Sequence, residues 1–481
     1  MKRLAKHQEY AVNMMMYTDK LALFYQPGTG KTMCALTTIQ RLWRKGQIGN
    51  ALIVCPASLT GNWELAIERM TEFEGFTEED VEGLKGIVRI SSFQKLYKTR
   101  KEESVRRGRK VQRKVVDIRP EVDRTWDIVV VDESHCIGAH NSVQTQVMLK
   151  IAEASRRRYI MTGTPVTGGG GREDFQKLYG QLKFLDPHVF KNWTDFCDRF
   201  VTKYDRWRKP AGYDTVACRT LMVNYGIFAL LRDCYDMPDS VEGTIPCPLA
   251  EKGVYDDFKK KRWRKHGVDI KMAGGQYIRY SQICSGSLKR DDGTVAELKC
   301  SKDSVLRDLL MGTDDKVVVF CNLRASIDRA RAIGEDCGRR VVVFDGRSKG
   351  NTWEEFQYGD ADMIICQYQV GGAGLDLFAS HTLIFFEPTY SALLLDQAQS
   401  RILRLGQTKK CIYHYLSTPG TFEEDMWKLV RSGVSVTNRV INELARGITV
   451  DELIGNHRKQ GGDKYKYEDD IPKDALEDEC R

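Results

Sequence analysis

No Cys-x-x-Cys pair occurs among the 14 cysteines of this chain, so the ligand spacing of a zinc module is missing. The cysteines are scattered, several within apolar runs (Cys55, Cys321, Cys366), and read as reduced thiols of a cytosolic protein. No uninterrupted apolar run approaches the ~18 residues of a membrane span. After Met1-Lys-Arg, the residues His7, Gln8 and Glu9 break any signal-peptide core. Neither sign of charge dominates: 74 basic against 66 acidic residues leave +8, which permits nucleic-acid binding without requiring it. No repeat of solenoid period and no nuclease cluster stands out. The 481 residues suffice for three domains of ~150 residues each.

Against these absences one stretch is distinctive, Tyr25-Gln-Pro-Gly-Thr-Gly-Lys-Thr32. It follows the apolar run Leu21–Phe24 and precedes a helix-like segment, Met33 to Trp43. Strand, glycine turn, Lys-Thr and helix form a phosphate cradle. Gly28, Thr29 and Gly30 let backbone N–H groups point at a polyphosphate. Lys31 adds charge for the β/γ-phosphates, and the Thr32 hydroxyl is placed to hold Mg²⁺. The usual pattern has one more glycine, at the position of Tyr25.

Upstream, Leu4–Val12 reads as a helix. Two readings stand for Gln8: an amide that recognises the adenine edge, or a surface glutamine. Ala51–Cys55 is a buried strand, with Ser58 and Thr60 at its end, where α/β proteins bind ligands and hydroxyls can hold a nucleic-acid phosphate. Trp63 reads as packing. Residues 98–124, rich in Lys and Arg, read as an exposed insertion, either a solvated loop or a phosphate-tracking arm. Trp126–Val131 then runs into Asp132-Glu-Ser-His135. Two carboxylates at a strand end are costly unless used: Asp132 can hold Mg²⁺, and Glu133 can deprotonate the attacking water. Arg156–Met161 is a further strand, ending in the hydroxyl turn Thr162-Gly-Thr-Pro165. Gly168–Gly171 reads as a flexible break, followed by helical material to Phe200.

In motif order, from Gln8 to the region of Trp427, the chain resembles the Swi/Snf-like DNA-dependent ATPases of helicase superfamily two. The matches are Gly28–Thr32, the block Ile53–Leu59 with Asn62-Trp63, the Asp-Glu-Ser-His box, Thr-Gly-Thr-Pro, Phe184-Leu-Asp-Pro187 and Ile283–Gly286. The resemblance implies two RecA-like sheets, ATP and Mg²⁺, and duplex DNA as the track. Leu231-Arg232-Asp233 stands where the family usually has two arginines and a lysine. Lys259–Lys265, basic with one Trp, contacts phosphates or forms a solvated helix face.

Past Cys300 the apolar runs at 316–321, 340–344, 361–366 and 382–386 alternate with helical segments and imply a second parallel sheet without a phosphate loop. Gly371-Gly372 opens the motif that in the family touches nucleic acid. Its usual Ser-Thr is replaced here by Gln367-Tyr368, and its common Asn by Asp376. Gln397, Arg401 and Arg404, at i, i+4 and i+7, fall on one helical face; the resemblance maps the arginine fingers onto the two arginines and adds Gln397 to the nucleotide-binding set.

The expected fold is α/β: two RecA-like parallel-sheet domains, 1–168 and 301–455, separated by a helical insertion and linker, 169–300, and followed by a charged, disordered tail, 456–481. The expected activity is ATP hydrolysis coupled to movement on duplex DNA. An RNA helicase, a restriction-system motor and a nucleotide-gated DNA clamp remain open alternatives, as does oligomeric state. A compact motor without appendages points to a bacterial or viral-host cytoplasm.

Overall fold

Two six-stranded parallel sheets organise the chain. The computed structural model describes residues 2–106, 109–166, 175–204, 208, 210–270, 273–348, 352–371 and 375–433. Among them, residues up to Asp236 form one unit and those from Met237 a second. The glycine break at 168–171 and the tail from 456 lie outside the described residues.

In the first unit the strands are β1 (Lys20–Tyr25), β2 (Ala51–Cys55), β3 (Val88–Ser92), β4 (Tyr97–Arg106), β5 (Arg109–Ile118), β6 (Trp126–Asp132), β7 (Ser155–Met161), β8 (Val201–Tyr204), β9 (Pro210–Tyr213) and β10 (Gly226–Ala229). The sheet runs β10-β1-β7-β6-β2-β3, every pair parallel. Ala51–Cys55 and Ile128–Val131 are uninterrupted apolar runs because helices cover both faces of such a sheet. On one side the sheet packs into a core with Phe175, Leu178, Leu182 and Phe184. The order sets the carboxyl ends of β1, β7, β6 and β2 side by side, so the loops that leave them share one edge.

The basic insertion is not a loop. Tyr97 to Ile118 pair as a two-stranded antiparallel ribbon, β4 with β5, in continuous register from Tyr97↔Ile118 to Arg106↔Arg109. Charge density hides the strand periodicity there, although Val105, Val111, Val115, Val116 and Ile118 supply β-formers. At its base Arg100 pairs with Asp117 at 3.2 Å.

The second unit holds β11 (Ser240–Pro246), β12 (Ser287–Lys289), β13 (Val295–Glu297), β14 (Val317–Cys321), β15 (Val341–Phe344), β16 (Met363–Gln367), β17 (Thr382–Phe385) and β18 (Cys411–Ser417). Its sheet runs β11-β18-β17-β14-β16-β15, again wholly parallel. The stretch 169–300 therefore contains helices and also gives an edge strand to each sheet, β10 to the first and β11 to the second. Beneath the second sheet, Lys302 and Glu423 form a fully buried ion pair, and Lys302 also donates to the Phe386 carbonyl at 2.8 Å. Glu387, at the end of β17, accepts from the N–H groups of Asn322 and Leu323 and from the hydroxyls of Ser285 and Ser326. It thereby caps the helix Arg324–Asp336.

Candidate active site

The buried strand β1 passes through Gln26-Pro27-Gly28-Thr29-Gly30 into the helix Lys31–Arg44. Gly28 and Gly30 take φ of +84° and +81°, a conformation that glycine alone adopts freely. A Cβ on Gly30 would lie 2.0 Å from Gln8 Nε2. Gln8 is no surface residue: it is buried, its Nε2 donates to the Thr29 carbonyl at 3.1 Å, and its Oε1 accepts from Ala5 N–H at 2.8 Å. His7 Nε2 lies 2.9 Å from the same carbonyl, and Thr29 Oγ1 donates to Gln26 O at 2.7 Å. The loop's own polar groups thus face inward. Its outer rim keeps the helix-start N–H groups, with Thr32 half-buried on the first turn. Lys31 Nζ donates to the carbonyls of Tyr25 at 2.8 Å and Gln26 at 3.3 Å. Tyr25, in the place of the missing glycine, points away from the loop and donates from its hydroxyl to His7 O at 3.0 Å.

Asp132 closes β6, paired in register with Met161 of β7. Its Oδ1 accepts the Glu133 N–H at 2.9 Å and its Oδ2 accepts Trp63 Nε1–H at 3.1 Å. Burial, and then the charge of Glu133, push the carboxyl up to about 6, while Lys31 and Trp63 act in the opposite sense. A desolvated, acceptor-only group within electrostatic reach of a phosphate-loop lysine fits a divalent cation, which would relieve the burial cost. Glu133 stands in the left-handed region at φ 49°, rare outside glycine and of the kind found at functional sites. Its Oε2 lies 3.4 Å from the Thr162 hydroxyl and 3.3 Å from His135 Nδ1. Burial disfavours a charged His135, but the neighbouring Cys136 and Glu133 outweigh it and push the imidazole up to about 10.

The Thr162-Gly-Thr-Pro165 turn leaves the adjacent strand and touches both halves of this edge. A Cβ on Gly163 would meet Pro27 at 2.7 Å, so the turn lies against the phosphate loop. Gln181 ties it to the acid box, accepting from Ser134 Oγ at 2.8 Å and donating to Pro165 O at 2.7 Å. Ser58 and Thr60 stand half-buried after β2, and Thr60 donates to Ala57 O at 3.0 Å. One sheet edge therefore gathers Lys31, Thr32, Asp132, Glu133 and Thr162. Sequence reasoning missed the parts of His135 and Gln181, and took Trp63 only for packing. His135 sat inside a recognised box, whereas nothing local marks Gln181.

The second unit corrects one expectation. The helix Ala392–Gln399 ends before Arg401, so Gln397, Arg401 and Arg404 do not share a helical face. Instead the chain turns, and Arg401 Nε donates back to Gln397 O at 2.7 Å, satisfying a carbonyl left open at the helix end. Arg401 Nη1 reaches Leu375 O at 3.3 Å. Arg404 Nε donates to Ser400 O at 3.0 Å and Nη1 pairs with Asp376. Gly371 ends a short helical turn, Tyr368–Gly371; Gly372 lies outside the described residues. Gln367 and Tyr368 are buried, and the Tyr368 hydroxyl donates to Glu387 O at 2.9 Å, so this pair serves the interior.

Among the described residues no helix is long and apolar enough to cross a membrane. Residues 7–262 match the SNF2-related domain and residues 301–406 the helicase conserved C-terminal domain. The chain is 24% identical over 365 residues to the DNA annealing helicase and endonuclease ZRANB3 of Homo sapiens, covering 72% of this chain and 32% of that protein. It is 22% identical over 495 residues to the DNA repair protein rhp54 of Schizosaccharomyces pombe, covering 89% and 56%. It therefore spans about a third of the human relative and just over half of the yeast one. Among solved structures, the Sulfolobus solfataricus SWI2/SNF2 ATPase core in complex with dsDNA aligns with a TM-score of 0.39 at 18% identity, covering 96% of this chain and 97% of that one. With the SNF2-related match spanning more than half of its length, the chain belongs to the SNF2-related family.

Proposed function

We propose that the protein is an ATP-dependent translocase on duplex DNA. The observation that carries this reading is the gathering of Lys31, Thr32, Asp132 and Glu133 on one sheet edge, in a chain of the SNF2-related family. The names of its relatives, a DNA annealing helicase and a DNA repair protein, support DNA as the track.

In this reading the N–H groups around Gly28, Thr29 and Gly30 receive the phosphates of ATP, and Gln8 braces the loop beside the base. Lys31 exchanges its carbonyl partners for β/γ-phosphate oxygens. Thr32 and Asp132 would hold Mg²⁺, which offsets phosphate charge when bound. Glu133 accepts the proton of the attacking water, with Thr162 and His135 orienting its carboxylate. Arg401 and Arg404 donate to the transferring phosphoryl group, and Gln397 lines the nucleotide. Fingers of this kind are worth roughly 10³–10⁵ in rate. Ser58, Thr60, Gly371 and Gly372 are assigned to the DNA backbone. Because the phosphate loop and the arginines belong to different units, turnover requires them to come together and so couples hydrolysis to motion.

The test is ATP turnover by the whole chain with and without duplex DNA, single strands and RNA, beside Lys31→Ala and Glu133→Gln. Stimulation by duplex that both substitutions abolish is expected. Equal turnover with and without nucleic acid would overturn the coupling, and preferential stimulation by RNA would overturn the choice of track.

A further inference from the structure

Three hydrogen bonds stitch the short segment Leu375–Leu377 to the turn that carries the two arginines. Arg401 Nη1 donates to Leu375 O at 3.3 Å, Leu377 N–H donates to Arg401 O at 3.0 Å, and Arg404 Nη1 pairs with the Asp376 carboxylate. Within Leu375–Leu377, Asp376 alone contributes its side chain to these three bonds. It is also the only charged partner of Arg404 among the described residues.

The guanidinium is planar, so fixing two of its nitrogens fixes the third. In Arg404 the Ser400 carbonyl takes Nε at 3.0 Å and Asp376 takes Nη1. Nη2 has no hydrogen-bond partner among the described residues. The Arg404 side chain is 12% exposed, and that of Asp376 45%. The carboxylate therefore reaches the arginine from a half-exposed position, and together with the Ser400 carbonyl it fixes the direction of the fork. We propose that Asp376 is a positioning residue: it sets the plane of the Arg404 guanidinium so that Nη2 is presented to a phosphoryl oxygen. This rests on the assignment of Arg404 as a phosphoryl-contacting arginine.

The experiment is steady-state ATP hydrolysis by the full chain at saturating duplex DNA, for Asp376→Ala, Asp376→Asn, Arg404→Ala and the double variant D376A/R404A. Loss of one charge-assisted hydrogen bond should lower kcat of D376A by about ten- to a hundredfold. The KM for ATP should stay within about twofold, because ground-state binding is carried elsewhere. D376N keeps an acceptor oxygen and should recover most of the lost kcat. In the R404A background D376A should cost nothing further, since residues acting through one group are not additive. Three results would each overturn the proposal: unchanged kcat in D376A, an equal loss with and without Arg404, or D376N as impaired as D376A. If R404A alone turns over at the wild-type rate, the assignment of Arg404 is wrong and the proposal falls with it. If R404A is impaired while D376A is not, only the positioning role fails.

Discussion

Replacing Asp132 by Asn should stabilise the nucleotide- and metal-free protein while abolishing turnover. The reasoning is linkage. Burial, then Glu133, lifts the folded-state value of Asp132 from 3.8 to about 6. The folded chain therefore holds a proton that the unfolded chain has already released, and stability falls as pH rises through that window. Above it the penalty is complete: roughly two pH units at ~1.4 kcal/mol each, about 3 kcal/mol. Asparagine removes the charge but offers only one acceptor oxygen for two donors, Glu133 N–H and Trp63 Nε1–H. One lost hydrogen bond takes back ~1 kcal/mol, leaving a net gain of about 2 kcal/mol at pH 7.5. At pH 4.5 the ionisation penalty of the wild type has shrunk to about 1 kcal/mol, which the lost bond cancels, so the two proteins should unfold alike. Urea unfolding at both pH values, in chelator and without ATP, reads the difference directly. A D132N protein that is less stable at pH 7.5, or a gap independent of pH, would refute the view that this carboxylate is held at a cost for function.

Trp63→Phe keeps the packing but deletes the indole donor to Asp132. The carboxyl should move further upward, shifting the acid limb of the pH–rate profile to higher pH and weakening apparent Mg²⁺–ATP binding about tenfold, both read from steady-state kinetics. In the second unit, Lys302→Met strands Glu423 in the interior, where the pair is 1% and 0% exposed, and should cost ~3–5 kcal/mol by urea unfolding. Adding Glu423→Gln, which retains the acceptor for Thr418 N–H, should recover most of that loss. Gly180→Ala would place a Cβ 1.9 Å from the Ile137 carbonyl, a backbone contact that cannot yield, and should lower the unfolding temperature of the protein markedly.

Both sheets were legible because parallel strands covered on both faces are written as unbroken apolar runs, and the phosphate loop because its turn demands glycine. The acid box was legible for a related reason: a run such as Ile-Val-Val-Val that ends in Asp-Glu announces carboxylates at a strand end. Periodicity misled at two places. Residues 97–118 carry strand formers diluted by charge, so an exposed insertion, solvated loop or phosphate-tracking arm, is all the sequence suggests where the structure has a ribbon. Gln397, Arg401 and Arg404 have helical spacing but straddle a helix end, and it is the Arg401 side chain that caps it. Spacing states what a helix would do if it continued; it does not state where the helix stops.

What spacing cannot carry at all is partnership across the chain. Asp132 meets Trp63 over 69 positions, and Lys302 meets Glu423 over 121. Neither pair leaves a local signature, yet the first tempers the upward push that burial and Glu133 give the proposed metal ligand. A motif therefore fixes which atoms reach the site, while their charge state also depends on residues the motif does not contain. Asp132 would be an ordinary carboxylate on a surface. Beneath the indole of Trp63, and beside a Glu133 at φ 49°, it becomes a group whose ionised form is costly to hold in the fold, a cost that a bound cation would offset. The same logic separates the two arginines. Arg401, 1% exposed, donates to the backbone carbonyls of Gln397 and Leu375, whereas Arg404 adds to its backbone contact with Ser400 a charged partner, Asp376. Substitutions at Asp376 should therefore register in kcat with the turn intact.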